Sequence, residues 1–228
     1  RRPTHRRETE LVGQTEEMLH GPPSGRCRLL VEVVGVRPAG GSGFEGDLAG
    51  IVARGGDIGA APEGSDDRRH AVGGQTLLDR ALALASHGGA RRIVVNVHHL
   101  GGQIVDHLAG SDVAVSDESG ALLETGGGLR KALPLLGPGP VLTMNPDVVW
   151  TGPNPVATLR AAWDDRMDAL LMLVPVDRAQ GRIGGGDFAR DAKGRIARGG
   201  PFVYTGCQII RTEELAGIDA EMFSLNLL

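Results

Sequence analysis

From residue 76 onward the apolar residues of this chain switch repeatedly between a helical period and short β-branched runs, and this alternation limits the fold more than any other feature. Residues 76–87 carry Leu77, Leu78, Ala81, Leu82 and Ala85 at helical spacing. Thr76 stands where an N-cap belongs, and Gly88-Gly89 stops the helix. Residues 92–97 (RIVVNV) form a run suited to a buried strand. The pattern continues with a helix over 101–108, a strand over 112–116, a helix over 128–135 and a strand over 141–144. A helix over 155–163 and a strand over 169–174 (ALLMLV) follow. Strands alternating with helices predict crossover connections, an α/β fold and a mostly parallel central sheet. Ligands of such sheets sit beyond the carboxyl ends of the strands. The places to look for chemistry are therefore Asn96-Val-His-His99, Asp117-Glu118, Asn145-Pro-Asp147 and the stretch after Val174. Beyond it, the Asp191-Ala-Lys-Gly194 turn between FAR and RIAR predicts a hairpin, and 201–210 predicts a strand.

Residues 1–70 have a different character. They are rich in Gly, Pro and Arg and hold one apolar run, 28–36, that reads as a strand. The predicted organisation is an irregular N-terminal segment over 1–70 and a regular α/β domain over 71–228. The chain opens on Arg rather than Met and stops at FSLNLL, as expected of a fragment or of an incomplete reading frame.

The balance of charge, net −4, gives no basis for a nucleic-acid or membrane partner. No apolar run reaches the roughly 18 residues that a membrane helix needs, and the basic residues 1–7 lack the apolar stretch of a secretory signal. Cys27 and Cys207 have no motif spacing and read as reduced thiols of a cytoplasmic protein. Residues 21–27 lack the Lys-Ser/Thr pair of a phosphate-binding P-loop.

Two motifs carry chemistry. The run 122–128 (LLETGGG) opens a helix, where glycines let backbone N–H groups approach a ligand closely. By itself it is equally a plain Gly-rich turn. Asp147 follows the strand VLTM directly, a position from which a carboxylate can hold Mg²⁺ between phosphate oxygens. Alone it reads better as a turn-capping Asp, but one strand–helix unit after LETGGG the metal reading prevails. His98 and His99 read as a structural turn, Asp66-Asp67 and Asp164-Asp165 as solvated pairs, and Met167 and Met172 as core.

From about residue 72 to 226 the chain resembles the sugar-1-phosphate nucleotidyltransferases, and within them the N-acetylmuramate-1-phosphate uridylyltransferases and mannose-1-phosphate guanylyltransferase-like proteins. The matching segments are VGGQTLLDRAL (72–82), ARRIVVNVHHLGGQIVDHL (90–108), SDESGALLETGGGLRKALPLLG (116–137), NPDVVW (145–150), MDALLMLVP (167–175), GGGDFARDAKGRI (184–196), YTGCQII (204–210) and FSLN (223–226). The resemblance implies a Rossmann-like, GT-A-like three-layer sandwich. It also implies transfer of a nucleotidyl group from a nucleoside triphosphate, UTP by the closest likeness, to a sugar 1-phosphate such as N-acetylmuramate 1-phosphate, as in cell-wall sugar recycling. By the same resemblance Glu124, Thr125, Gly126 and Gly127 line the nucleotide pocket, Asp187, Thr205 and Gly206 surround the sugar phosphate, and Asp147 is a ligand of Mg²⁺. One part has no match. Family members begin with a central strand, a loop of the form AGxGTRMxPLT and a PKP segment, whereas residues 55–69 here are GGDIGAAPEGSDDRR, with Arg68 and Arg69 the nearest cations. Those residues read more readily as a polar linker than as a divergent phosphate loop, which leaves the sheet without its central strand. A second metal-binding acid of the family falls beyond residue 228. The alternative function is therefore a catalytically impaired nucleotide- or sugar-phosphate-binding remnant.

Overall fold

The computed structural model describes residues 10–14, 32–37, 51–55, 71–72, 74–98, 101–192 and 195–225. Three strands come first, β1 (Glu10–Gln14), β2 (Glu32–Arg37) and β3 (Ile51–Gly55). A two-residue ladder of β4 (Ala71–Val72) with β5 (Gln75–Thr76) leads into α1 (Leu77–His87). The alternating region then gives β6 (Ile93–Val97), α2 (Gly101–His107), β7 (Ala114–Asp117), α3 (Glu124–Leu136), β8 (Val141–Met144), α4 (Pro155–Ala162) and β9 (Ala169–Pro175). The hairpin β10 (Gly186–Arg190) and β11 (Ile196–Gly200) precedes the long β12 (Phe202–Ile210).

Local chemistry sets the boundaries of these elements. The Thr76 hydroxyl accepts from the Asp79 amide at 3.0 Å, which satisfies one of the orphan donors of α1. At the other end the Gly88 amide bonds to the Leu84 carbonyl. Asn154 caps α4 by accepting from the Val156 and Ala157 amides, and Pro155 takes the first helical position, where no N–H is needed. The same Asn154 donates from Nδ2 to the Leu84 carbonyl, and Arg160 donates to the Gly88 carbonyl, so the end of α1 and the start of α4 are locked together.

All but β4 and β5 join one ten-stranded sheet, ordered β1-β2-β9-β12-β8-β3-β6-β7, with β10 and β11 attached at β12. The expectation of a mostly parallel sheet is corrected here. Pairing is parallel for β6–β7, β3–β6 and β3–β8, whereas β12 lies antiparallel between β8 and β9, β2 is antiparallel to β9, and β1 to β2. The sheet is therefore mixed. A hairpin separates β9 from β12, so β12 returns against the direction of its neighbours and inserts between them.

The expected gap at the centre is also overturned. β3 occupies it, with Ile51 through Gly55 paired to Ile93 through Val97 on one side and Ile51 through Ala53 paired to Leu142 through Met144 on the other.

Three layers result. On one face α1, α2 and α4 cover β6, β8, β9 and β12, through Ala81, Ala85, Leu142, Met144, Leu159, Met172 and Ile209 in one cluster and Leu78, Val95, Val97 and Ile104 in another. On the opposite face Leu129, Ala132 and Leu136 of α3 pack with Val94, Val141, Ile210, Leu215 and Phe223. Met167 and Met172 are core, and no described helix is long and apolar enough to cross a membrane.

Leu142 is 1 % exposed and flanked by β3 and β12, whereas Leu135 on α3 is 44 % exposed. Leu142→Ala should cost about 2–5 kcal/mol in chemical denaturation, the range for a buried leucine in a rigid site, and Leu135→Ala roughly 0.5 kcal/mol or less. Equal losses would contradict this arrangement of the core.

Candidate functional site

The strand order reverses direction at β3, where α1 carries the chain outward to β6 and α3 carries it back across to β8. Beyond such a switch point an open α/β sheet has its crevice. β3, β6, β7 and β8 are parallel, so Gly55, His98, Glu118 and Asn145 all emerge at one edge. β12 runs the other way, and its residues 202–206 reach that edge from the opposite direction.

Asp147 stands in the turn after β8 with its side chain exposed. Its carboxylate is engaged by no described side chain or amide. The turn is anchored one step earlier, where the Asn145 amide donates to the Gly206 carbonyl at 2.9 Å. Gly206 has φ +76°, and a Cβ there would fall 2.7 Å from the Asn145 side chain, so strand bulge and turn fit only because position 206 is glycine. Thr205, in the same bulge, turns its hydroxyl into the sheet and donates to the Met172 carbonyl at 2.8 Å. Asp187 is bound on both oxygens, one accepting from Arg182 at 2.5 Å and the other from the Tyr204 amide at 2.9 Å. Thr205, Gly206 and Asp187 are thus tied together on the β8–β12 side, and Asp147 follows Asn145 by two residues at the same edge without a described contact to them.

The second group lies at the start of α3. Gly126 and Gly127 both donate their amides to the Phe223 carbonyl, at 2.8 and 3.1 Å. The Thr125 hydroxyl accepts from the Leu225 amide at 2.8 Å. The glycines admit this segment, since a Cβ on Gly126 would lie 2.2 Å from the Phe223 ring and one on Gly127 would lie 2.3 Å from the Glu221 carbonyl. Arg130 closes the contact by stacking 5.0 Å over the Phe223 ring and donating to the Ile218 and Ala220 carbonyls. The amides that the sequence pattern offered to a ligand are therefore taken by the chain itself. Glu124 has φ +63°, unique among the described non-glycine residues, and such a conformation persists only where its surroundings impose it.

Asn96, Ser116 and Glu118 form a buried polar cluster under Gly128; the strand-end rule pointed to Asn96 and Glu118 without giving them a role, and Ser116 was passed over. The cluster's one sequence signal was polarity at neighbouring strand ends.

Of the remaining candidates, His98 donates from Nδ1 to the Glu118 carbonyl, a structural contact, and His99 lies outside the described residues. Asp164 pairs with Arg166, and Asp165 accepts from the Trp163 indole, so neither is simply solvated. Burial pushes the Cys207 thiol up to about 12, which leaves it protonated and inert near neutrality. Cys27, Asp66, Asp67, Arg68 and Arg69 lie outside the described residues. Among the described residues no group of three His, Cys, Asp or Glu side chains converges as a metal cage. A lone exposed carboxylate still suits Mg²⁺, which takes one or two protein carboxylates and completes its shell with water and substrate phosphate.

Known proteins bear on this geometry. The family model for the MobA-like NTP transferase domain matches residues 65–212. The chain is 36 % identical over 169 residues to N-acetylmuramate alpha-1-phosphate uridylyltransferase of Caulobacter vibrioides, covering 68 % of this chain and 70 % of the relative. It is 33 % identical over 162 residues to the protein of that name from Neisseria meningitidis serogroup B, covering 65 % and 68 %. In fold it is similar to HddC from Yersinia pseudotuberculosis complexed with GMP-PN, with TM-score 0.58, 17 % identity and coverage of 78 % of this chain and 83 % of that one. The inositol-1-phosphate CTP transferase from T. maritima gives TM-score 0.55 at 14 % identity, covering 80 % of each chain.

Gly126→Ala should dislodge the segment 221–225 and lower stability by about 1–3 kcal/mol, the usual cost of overpacking. Gly102→Ala, in α2 with nothing within 4 Å of the new Cβ, should instead raise it by about 0.5–1 kcal/mol. Thermal melts of the two variants moving in the same direction would refute this account of the glycines.

Proposed function

Because this chain belongs to the MobA-like NTP transferase family, a family of nucleotidyltransferases, we propose that it transfers uridylyl from UTP to N-acetylmuramate 1-phosphate and releases pyrophosphate, a step of cell-wall sugar recycling. The observation that carries this reading is the placement of Asp147 at the carboxyl end of β8, beside the end of β3, at the switch point of the sheet. The names of two relatives above 30 % identity support the choice of base and sugar.

In the proposed reaction a phosphate oxygen of the sugar 1-phosphate attacks the α-phosphorus of UTP, and the bond to the bridging oxygen of the β-phosphate breaks as pyrophosphate leaves. No covalent protein intermediate is required. The protein's task is to hold two anions in line and to offset charge in the transition state. Mg²⁺ held by Asp147 and phosphate oxygens would supply that charge neutralisation. The start of α3, with Glu124 and Thr125, would receive the base. Since Phe223 occupies the Gly126 and Gly127 amides, those two would shape the pocket through their lack of side chains and not through hydrogen bonds to phosphate. Asp187, Thr205 and Gly206 would border the sugar phosphate, with Asp187 orienting Arg182 by their ion pair. The triphosphate would then fall to the segment that follows β3.

The departure of residues 55–69 from the family's loop favours a second reading, a binding protein with impaired catalysis. Pyrophosphate release with UTP, N-acetylmuramate 1-phosphate and Mg²⁺ separates the two. Turnover establishes the enzyme, whereas Mg²⁺-dependent UTP binding without turnover establishes the second reading. Absence of both overturns each. Asp147→Asn should reduce turnover by roughly 10²–10³-fold, or weaken Mg²⁺–UTP binding where turnover is lacking, because a group facing concentrated phosphate charge loses its negative charge toward the dication. Wild-type behaviour of the variant would remove Asp147 from the site.

A further inference from the structure

We propose that Glu118 is a positioning residue for the nucleotide pocket, its buried carboxylate setting the shape in which residues 119–124 reach the base. The inference rests on the nucleotide-binding reading of α3 given above.

Glu118 is 1 % exposed, and no cation pairs with its carboxylate among the described residues. All of its polar atoms hold the turn. Its amide donates to the Val97 carbonyl at 2.6 Å, and its carbonyl accepts from the Ala121 amide at 3.1 Å and contacts His98 Nδ1 at 2.6 Å. One carboxylate oxygen accepts from Asn96 Nδ2 at 2.5 Å and the other from the Leu123 amide at 3.2 Å. Leu123 is the residue before Glu124, whose backbone is held at φ +63°. On its other side the Leu123 carbonyl accepts from the Phe223 amide at 3.3 Å. The carboxylate and the C-terminal segment therefore grip the same peptide from opposite sides. α3 approaches closely enough to shut the cluster from water only because position 128 is glycine, where a Cβ would lie 2.5 Å from the Glu118 carboxylate.

A buried carboxylate without a countercharge is an expensive way to make two hydrogen bonds. What it provides is two acceptors facing two different donors, Asn96 and Leu123. Asn96 Oδ1 and Ser116 Oγ are both buried and have no described partner. The cluster therefore has a definite response to exchange of its groups. In Glu118→Gln one amide oxygen still accepts from Leu123, and the new NH₂ can donate to Asn96 Oδ1 once the Asn96 amide turns over. In Asn96→Asp two carboxylates face each other across a hydrogen-bond distance, and once the pair has lost the proton that it can share, one must withdraw and release Leu123. Combining the two substitutions restores one donor facing one acceptor.

The test is steady-state kinetics or equilibrium binding with Mg²⁺–UTP on the full chain, together with native-state hydrogen exchange. Measured above the pH at which the introduced carboxyl shares a proton with Glu118, the variant Asn96→Asp should raise KM or Kd for UTP by about tenfold or more while kcat and KM for the sugar phosphate stay within a few-fold, in line with the cost of an unpaired buried group. Glu118→Gln and the double variant Asn96→Asp/Glu118→Gln should both lie near wild type, and Glu118→Ala should follow Asn96→Asp. The Leu123 amide should exchange faster in Asn96→Asp than the amides of β12 do, and the double variant should restore its protection. Unchanged UTP affinity in Asn96→Asp, uniform acceleration of all amides, or failure of the double variant to recover would overturn the proposal. If wild type neither binds nor turns over UTP, the functional reading falls by that result, and the exchange pattern of Leu123 alone decides whether Glu118 holds the turn.

Discussion

The parallel ladder of β3 with β6 and β8 is the contact on which the rest of this structure depends. On one side of it stand β6, β7 and the helices that connect them, and on the other stand β8, β12, β9 and β2. Without β3 the inner edges of β6 and β8 would carry rows of unpaired amides and carbonyls inside the protein, each costing about 1–3 kcal/mol unless another partner were found. β3 satisfies both rows at once and brings the two halves into register. That register sets the site. Val97 lies opposite Gly55 and Met144 opposite Ala53, so the loops after all three strands open from one edge.

A second constraint acts on the start of α3. A helix begins with four amides that have no partner inside the helix, and such an end commonly attracts an anion. Here a backbone carbonyl from about one hundred residues further along the chain takes two of them, and the Thr125 hydroxyl is tied to the same segment. Neutral carbonyl oxygen satisfies those two donors without adding charge, so the Gly126 and Gly127 amides are taken before any nucleotide arrives. In the proposed reaction, triphosphate charge must then be met nearer the β3–β8 switch point. In that reaction, base recognition at the start of α3 and charge handling at the strand edge would be divided by these hydrogen bonds.

The helices and strands after residue 76 were legible because each is set by its own residues. Thr76 and Gly88 mark the ends of α1 and the β-branched runs mark strands, whereas α3 begins at Glu124, four residues before the helix read over 128–135, because its Gly-rich start has the composition of a turn. β3 was not legible. Its sequence IVARG is five residues long, contains Arg and Gly, and lies among glycines, so local propensity argues against it, and its strand character comes from being flanked by partners on both sides. Strand direction was likewise hidden. The pattern ALLMLV says that β9 is buried on both faces, but of its two antiparallel neighbours β2 lies more than one hundred residues earlier and β12 arrives only after the hairpin.

The site shows the same division between local and distant causes. Asp147 could be placed from the sequence because one strand and one turn determine where it emerges. The role of the glycines at 126–128 could not, because it depends on four partners distant in sequence. Phe223 and Glu221 press on the first two, and Glu118 and Asn96 lie under the third. A Gly-rich helix start signals close approach, but the sequence cannot say whether the approaching group is a ligand or the chain itself. In this protein it is the chain, on both sides of the helix. Glycine at these positions therefore acts indirectly, by admitting the two clamps that hold the Leu123 peptide next to the left-handed Glu124. Strain of this kind costs on the order of 1–3 kcal/mol and needs bonds on either side to sustain it. The Leu123 peptide has them, with Glu118 at its amide and Phe223 at its carbonyl.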